Sequence, residues 1–465
     1  MEDTSPLRQA VLDWLEQARD LPPVPQAITD VALAALPGWE ALSNAVVRAA
    51  PISENHDLYG KAEGDWLPRW STLLGGSGLG DATRLIAQGA TVPVEEVADS
   101  FVAFCTAPAS TVEDWLLLDG ELPEGTRMPL GRYTLQTFTA DALKQLGPMP
   151  ALRGLQPGGL DLDLLAGAPF IHTPNAERTP DRRGTGWFDF TGPRPEARHW
   201  KALLPLILWS EDLLHVDAVF SVERGRYFDL NPNHVPTTIK VYEDRHGRPE
   251  EVEVRDTGSF YVAPAGLPRF QAFCSAVTAK IDAVMDGVAS GRSLPRKRAR
   301  RLERAARHLL QAYQRTYRDD GVWEQEADEL HLDYVIALEA LMVSPDDKHE
   351  GISERIRTRT AALFPTSLRE RVESSVQEAY RARSKYVHGD LLVNQEETKK
   401  QAELRQLRLL VRQVVLRWLI VTPSDTQDLA PRLDAAADCT SCARAIDDPL
   451  RAFFQQFPSH DDIRA

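Results

Sequence analysis

After Pro295 the chain carries five consecutive stretches whose apolar residues recur at helical spacing, 296–317, 324–343, 352–364, 367–388 and 396–421, joined by short connections. Stretches of that length and period bury their apolar stripes against one another as a helical bundle. In the second stretch Leu332, Ile336, Glu339 and Val343 share a stripe, which places a carboxylate on the side that otherwise faces the core. A buried charge costs several kcal/mol unless it finds a partner, and arginine is the natural one. In the last stretch Leu404, Leu407, Val411, Val414 and Trp418 read as core more readily than as a dimer seam.

The chain before the bundle reads differently. Helical patterns at 7–18 and 94–104 and strand patterns at 115–118 and 131–139 predict a mixed region over 1–150. From 151 to 200 the prolines 157, 169, 174, 180, 193 and 195 interrupt regular structure, predicting a linker or a long functional loop. Alternating strands with turns at Arg224-Gly225 and 244–247 predict hairpins over 216–263, and 270–285 has helical spacing. Gly287, Ser290, Gly291 and Pro295 then mark the expected domain boundary, at 286–295. The fold class is α+β in four parts. These are the mixed region 1–150, a loop-rich sensing or recognition segment with hairpins and a closing helix over 151–285, the bundle over 292–425, and an irregular tail over 426–465.

The glycine cluster at 75–80 lacks the Lys-Ser/Thr of a phosphate loop and the G-x-G-x-x-G pattern, so it reads as a flexible turn. The apolar run at 202–209 is far short of the roughly 20 residues of a membrane span and reads as a buried helix or strand. An acidic start and few cysteines, Cys105, Cys274, Cys439 and Cys442, fit a reducing cytoplasm. Cys439-x-x-Cys442 is half of a zinc knuckle that His460 alone does not complete, so it reads as two free thiols in a polar tail. No metal or cofactor is called for.

A net charge of −15 excludes indiscriminate nucleic-acid coating, which draws its affinity from neutralised phosphates. Yet residues 292–318 hold ten Lys/Arg against the single acid Glu303, a local cationic surface suited to RNA, with Arg296, Lys297, Arg300 and Arg304 as contacts. The fourth stretch ends Arg381-Ala382-Arg383-Ser384-Lys385-Tyr386-Val387-His388-Gly389. Gly389 is a helix terminator, so His388 sits at the carbonyl end, where an imidazolium is favoured and proton transfer near neutrality becomes available. Arg381, Ser384 and His388 share a face, with Arg383 a little rotated. Cleavage of RNA by its own 2′-OH needs that set: a group to move protons and a cation for the charge building on phosphorus.

Residues 383–389 resemble the R-x4-H signature of HEPN domains, specifically the Apea-like subgroup with its R-S-x-x-x-H-G ending. Residues 333–341 and 352–355 resemble that subgroup's second and third helices, in order, over about a quarter of the chain. The resemblance implies a metal-independent endoribonuclease that dimerises so that two motifs share one cleft, a type common in bacterial antiviral defence and among toxins. It implies Arg383 and His388 as catalytic residues, with Glu339 ordering the arginine and Ser384 and Arg381 supporting; which guanidinium acts stays open. A phage or host trigger for the N-terminal region is the expected partner, with no membrane. The tyrosine that is modified in some toxin members is replaced by Asp390. The rival expectations are a non-catalytic dimerisation and RNA- or protein-binding module, or an N-terminal enzyme that the bundle regulates.

Overall fold

The computed structural model describes residues 5–21, 30–53, 55, 58–62, 65–107, 112–139, 165–176, 199–210, 214–222, 237–243, 249–255, 260–286, 293–315, 323–344, 347, 350–387, 397–422, 428–436 and 439–460. Among them the architecture is α+β, mostly helical, with small antiparallel sheets in the N-terminal half. The first hundred residues build a helical unit around their own core, from α1 (Ser5–Arg19), α2 (Asp30–Ala34), α3 (Gly38–Ala49), α4 (Leu79–Ala87) and α5 (Val94–Thr106). Leu7, Val11, Trp14 and Ala18 recur at helical spacing on α1 and are all buried there. The Trp14 indole N–H, buried with them, donates to Thr83 Oγ1 at 2.9 Å. A hairpin of β1 (Tyr59–Ala62) and β2 (Asp65–Pro68) completes this unit.

The glycine cluster is not the flexible turn expected. Ser71–Gly76 forms a single π-helical turn, Gly78 takes φ 82°, and α4 starts immediately after it, with Ser77 and Leu79 buried. Only a residue without Cβ enters that left-handed cap cheaply, so the glycine serves a buried helix junction.

The main sheet has the strand order β4-β5-β6-β3-β7, all antiparallel: β3 (Val112–Leu118), β4 (Arg127–Leu130), β5 (Tyr133–Thr137), β6 (Pro169–Ala176) and β7 (Val216–Val222). The expected strands at 115–118 and 131–139 correspond to β3 and β5. The expected linker contains β6, an inner strand. Proline is excluded from inner strands except at their first residue or a bulge. Pro169 is that first residue, and Pro174 falls where the β3–β6 register shifts. β7 pairs with β3 and not in a local hairpin, whereas β8 (Thr237–Glu243) and β9 (Pro249–Arg255) do form one.

The boundary expected at 286–295 separates two helices that share one core. One continuous core runs from Leu116 on β3 to Phe457, through α6 (Trp200–Trp209), α7 (Leu267–Asp286), α8 (Ser293–Arg315), α9 (Trp323–Met342), α10 (Ile352–Ala362), α11 (Thr366–Val387) and α12 (Glu397–Val421). The division that the cores mark lies near residue 110. The apolar face of α7, with Phe270, Phe273, Val277 and Ile281, needs a cover, and the bundle supplies it. Residues 411–421 of α12 are buried on every side, so its apolar stripe is core within one chain. The run at 202–209 is a buried helix, and no helix among the described residues is long and apolar enough to cross a membrane. Trp200 is buried, and the partly buried Trp209 packs on Phe270 and Phe273.

The tail is not irregular. It forms α13 (Leu429–Ala435) and α14 (Thr440–Gln456), which bury Leu429, Leu433, Ile446, Leu450, Phe453 and Phe454 in the main core. Its last described residue, His460, stacks on Phe273 at 4.3 Å and packs on Trp209 at 4.8 Å. Burial, and then Arg412 and Arg269, push this imidazole down to about 4. The folded state therefore holds it neutral while the unfolded chain, with the ordinary value near 6.5, takes up a proton. Stability from this group is complete above pH ~6.5 and is lost as pH falls toward 4. Replacing His460 with glutamine should flatten the acid limb of stability across that window, measured by denaturant titration at stepped pH; an unchanged limb would show that His460 does not set it.

Candidate active site

α10 and α11 form an antiparallel pair joined by residues 363–365. α10 is launched from Gly351, whose φ of 70° suits glycine. On α11, Val372, Val376 and Ala379 are buried and Gln377, Arg381 and Ser384 recur on the opposite, exposed side, while Tyr380 and Arg383 stand half-buried at the edge towards α9. Together with Glu339 of α9 and Ser353, Glu354 and Arg357 of α10, that side lines an open cleft of about 890 Å³.

At its wall Arg383 Nη1 pairs with Glu339 Oε1 at 3.1 Å, with the two side chains 33% and 22% exposed. Tyr380 donates its hydroxyl to the same oxygen at 3.0 Å. Burial, then the Glu339 carboxylate, push the Tyr380 phenol well above its ordinary range, so it remains a donor. The guanidinium carbon of Arg383 lies 6.0 Å from the centre of the Tyr380 ring. Two neighbours thus fix the carboxylate, and the carboxylate fixes the arginine, while a third of that arginine still faces solvent. Arg383 Nε, buried, makes no hydrogen bond among the described residues. With Arg357 and Arg381 the cleft holds three guanidinium groups, of which Arg383 pairs with Glu339 and Arg357 with Glu373 at 3.6 Å and Glu354 at 3.9 Å.

Of the residues expected at the site, the structure brings together Glu339, Arg381, Arg383 and Ser384. His388 directly follows Val387, the last residue of α11, and lies outside the described residues. The stripe assignment for Glu339 needs correcting. Leu332, Ile336, Glu339 and Val343 form the half-exposed edge of α9, and the buried stripe is Leu330, Tyr334, Leu338 and Leu341. α9 is apolar around most of its circumference, so two stripes compete and spacing alone does not choose between them. Tyr380 and Arg357 were missed. Tyr380 stands three residues before Arg383, a spacing that puts both on one helix face; nothing in the sequence marked Arg357.

The cationic surface lies elsewhere, on α8. Arg296, Lys297, Arg300 and Arg304 are all exposed, at spacings that align them along one side. Arg298 is buried, and Arg301 pairs with Asp428 at 3.1 Å, so part of the charge run is structural. Changing Arg296, Arg300 and Arg304 together to alanine should weaken RNA binding across sequences. The slope of log affinity against log salt should fall by roughly 0.7 for each phosphate that is no longer neutralised. An unchanged slope in a filter-binding salt series would exclude this surface as an RNA contact.

Comparison with family models, with curated proteins and with solved structures gives no match to this chain.

Proposed function

We propose that the chain is a metal-independent endoribonuclease of the HEPN type, cleaving RNA by attack of a ribose 2′-OH on the adjacent phosphate. The observation that carries this reading is the Glu339–Arg383 pair, braced by Tyr380, on the wall of an arginine-lined cleft at the end of the helix that runs into His388. A guanidinium held in place by a carboxylate is preorganised for a phosphate whose charge grows in the transition state. In this reading Arg383 stabilises the phosphorane, His388 moves the proton, and Arg381 and Ser384 help to seat the strand. The cleft is completed by a second copy, and the N-terminal unit answers to a trigger, of phage or host origin, in an antiviral or toxin role.

Attack by the 2′-OH expels the 5′-oxygen, so the products carry a 2′,3′-cyclic phosphate and a 5′-hydroxyl. The direct test is incubation of the whole chain with total RNA in EDTA, with and without infected-cell extract, followed by end-group analysis. Products with those ends support the reading, and intact RNA under both conditions sinks it. The exposed stripe on α8 favours a second reading, in which the bundle holds RNA or a protein partner without cutting it. That reading expects binding with no cleavage.

A further inference from the structure

The expected polar tail places Cys439 and Cys442 at the start of α14, a helix of 17 residues. Cys439 is the N-cap, and its sulfur accepts from the Cys442 backbone N–H at 3.3 Å. The two sulfurs lie 2.7 Å apart, inside van der Waals contact and within about 0.7 Å of a disulfide bond length. The Ser441 hydroxyl is 3.1 Å from Cys439 Sγ. Both cysteines are half-exposed, whereas Cys105 and Cys274 are buried. Among the described residues no cluster of three or more metal-ligating side chains occurs.

We propose that Cys439 and Cys442 form a redox-active dithiol, with Cys439 as the attacking sulfur and Cys442 as the resolving one. The helix N-terminus and the donors around Cys439 stabilise a thiolate there. The Cys442 thiol, then the Ser441 hydroxyl and the Cys442 backbone N–H, hold Cys439 down to about 7, while Cys442 is raised by the proton it shares with Cys439. Cys439 is therefore the sulfur that ionises first, and Cys442 keeps its proton longer. The co-substrate class is a small-molecule disulfide such as oxidised glutathione. The Cys439 thiolate attacks one sulfur of that disulfide, forming a mixed disulfide and releasing one thiolate. Cys442 then loses its proton and attacks Cys439 Sγ, closing the intramolecular bond and releasing the second thiolate. Two protein thiols are oxidised by two electrons, one small disulfide is reduced, and the two protons end on the departing thiols. This activity is separate from RNA cleavage and stands whether or not the cleft is a nuclease.

The test is equilibration of the full chain in glutathione buffers of stepped ratio, acid quenching, alkylation and peptide mass spectrometry. The expected result is paired loss of both alkylation sites and a 2 Da decrease confined to the peptide holding Cys439 and Cys442, reversed by dithiothreitol. Cys442→Ser should stop at a glutathione adduct on Cys439, and Cys439→Ser should abolish the ring. Iodoacetamide should react with Cys439 with a midpoint near pH 7, moving upward in Cys442→Ser. Three outcomes would overturn the proposal: separate adducts on both cysteines with no ring, ordinary cysteine midpoints for both, or zinc retained in native mass spectrometry with both thiols protected.

Discussion

Replacing Arg383 with alanine is expected to lower single-turnover RNA cleavage by about 10²–10³, the usual cost of removing one preorganised donor from a developing anion. Replacing His388 with alanine should cost roughly 10²–10⁴, the range for a positioned proton-transfer group. The two losses should not add, because residues that act as one unit lose most of their joint effect when either is removed. Arg383→Lys should recover little, since an ammonium does not reproduce a planar fork held by Glu339 and aimed at phosphate. Arg381→Ala should be milder if Arg383 is the acting group, and the ranking reverses if Arg381 acts. Arg381 is exposed, whereas Arg383 is held by Glu339 and lies against Tyr380. Each variant is compared at matched melting temperature and oligomeric state, so that a packing loss is not read as chemistry. Cleavage persisting in both Arg383→Ala and His388→Ala would leave the non-catalytic reading.

The helices of the bundle were legible because their signal is local. A 3.6-residue period over twenty residues needs no knowledge of the partner, and the ranges expected for 324–343 and 352–364 lie within a residue or two of α9 and α10. The Glu339–Arg383 pair follows from the family resemblance, not from the core stripe, because Glu339 stands on the half-exposed edge of α9. What failed was long-range. β6 is an inner strand only because β3 and β5 flank it, and its prolines argued against a strand until the bulge at Pro174 was known. α14 carries Pro449 inside it, which removes a backbone donor and ordinarily ends a helix. Its anchors Ile446, Leu450, Phe453 and Phe454 hold it because α7 and α12 present an uncovered apolar surface, and that surface is invisible from residues 426–465 alone. The same gap hides which breaks separate two cores, since a Gly/Ser/Pro break looks alike between cores and within one.

Arg359→Leu should destabilise the bundle by about 3–5 kcal/mol, the cost of stripping one partner from a buried ion pair. The Arg359 guanidinium is 3% exposed and uses all its N–H groups. Nε and Nη2 donate to Asp434 of α13 at 2.7 Å each, Nη1 and Nη2 to Asp347 at 2.6 and 2.9 Å, and Nη1 to the Met342 carbonyl at 2.7 Å. One side chain therefore satisfies the last carbonyl of α9, pins the loop after it and ties α10 to α13. Burial alone would lower the arginine; the two carboxylates more than reverse that and hold it charged. Leucine would strip Asp347, 10% exposed, of all its Arg359 hydrogen bonds and leave it only the longer pair with Arg355 at 3.6 Å. Asp434 is 43% exposed, stays hydrated and adds less to the loss, which favours the lower end of the range. Asp347 is held below its ordinary value, first by the Arg359 hydrogen bonds, so its contribution is present above the unfolded carboxylate value near 4 and is lost as pH falls through the lower folded one. The acid limb below pH ~4 should accordingly flatten in Arg359→Leu. Guanidinium titrations of Arg359→Leu, with Arg307→Leu, which breaks only the exposed pair with Glu303 on α8, as a control, would decide it. A loss under ~1 kcal/mol, no larger than that of an exposed pair, would show that α10 is held in place by its apolar contacts alone.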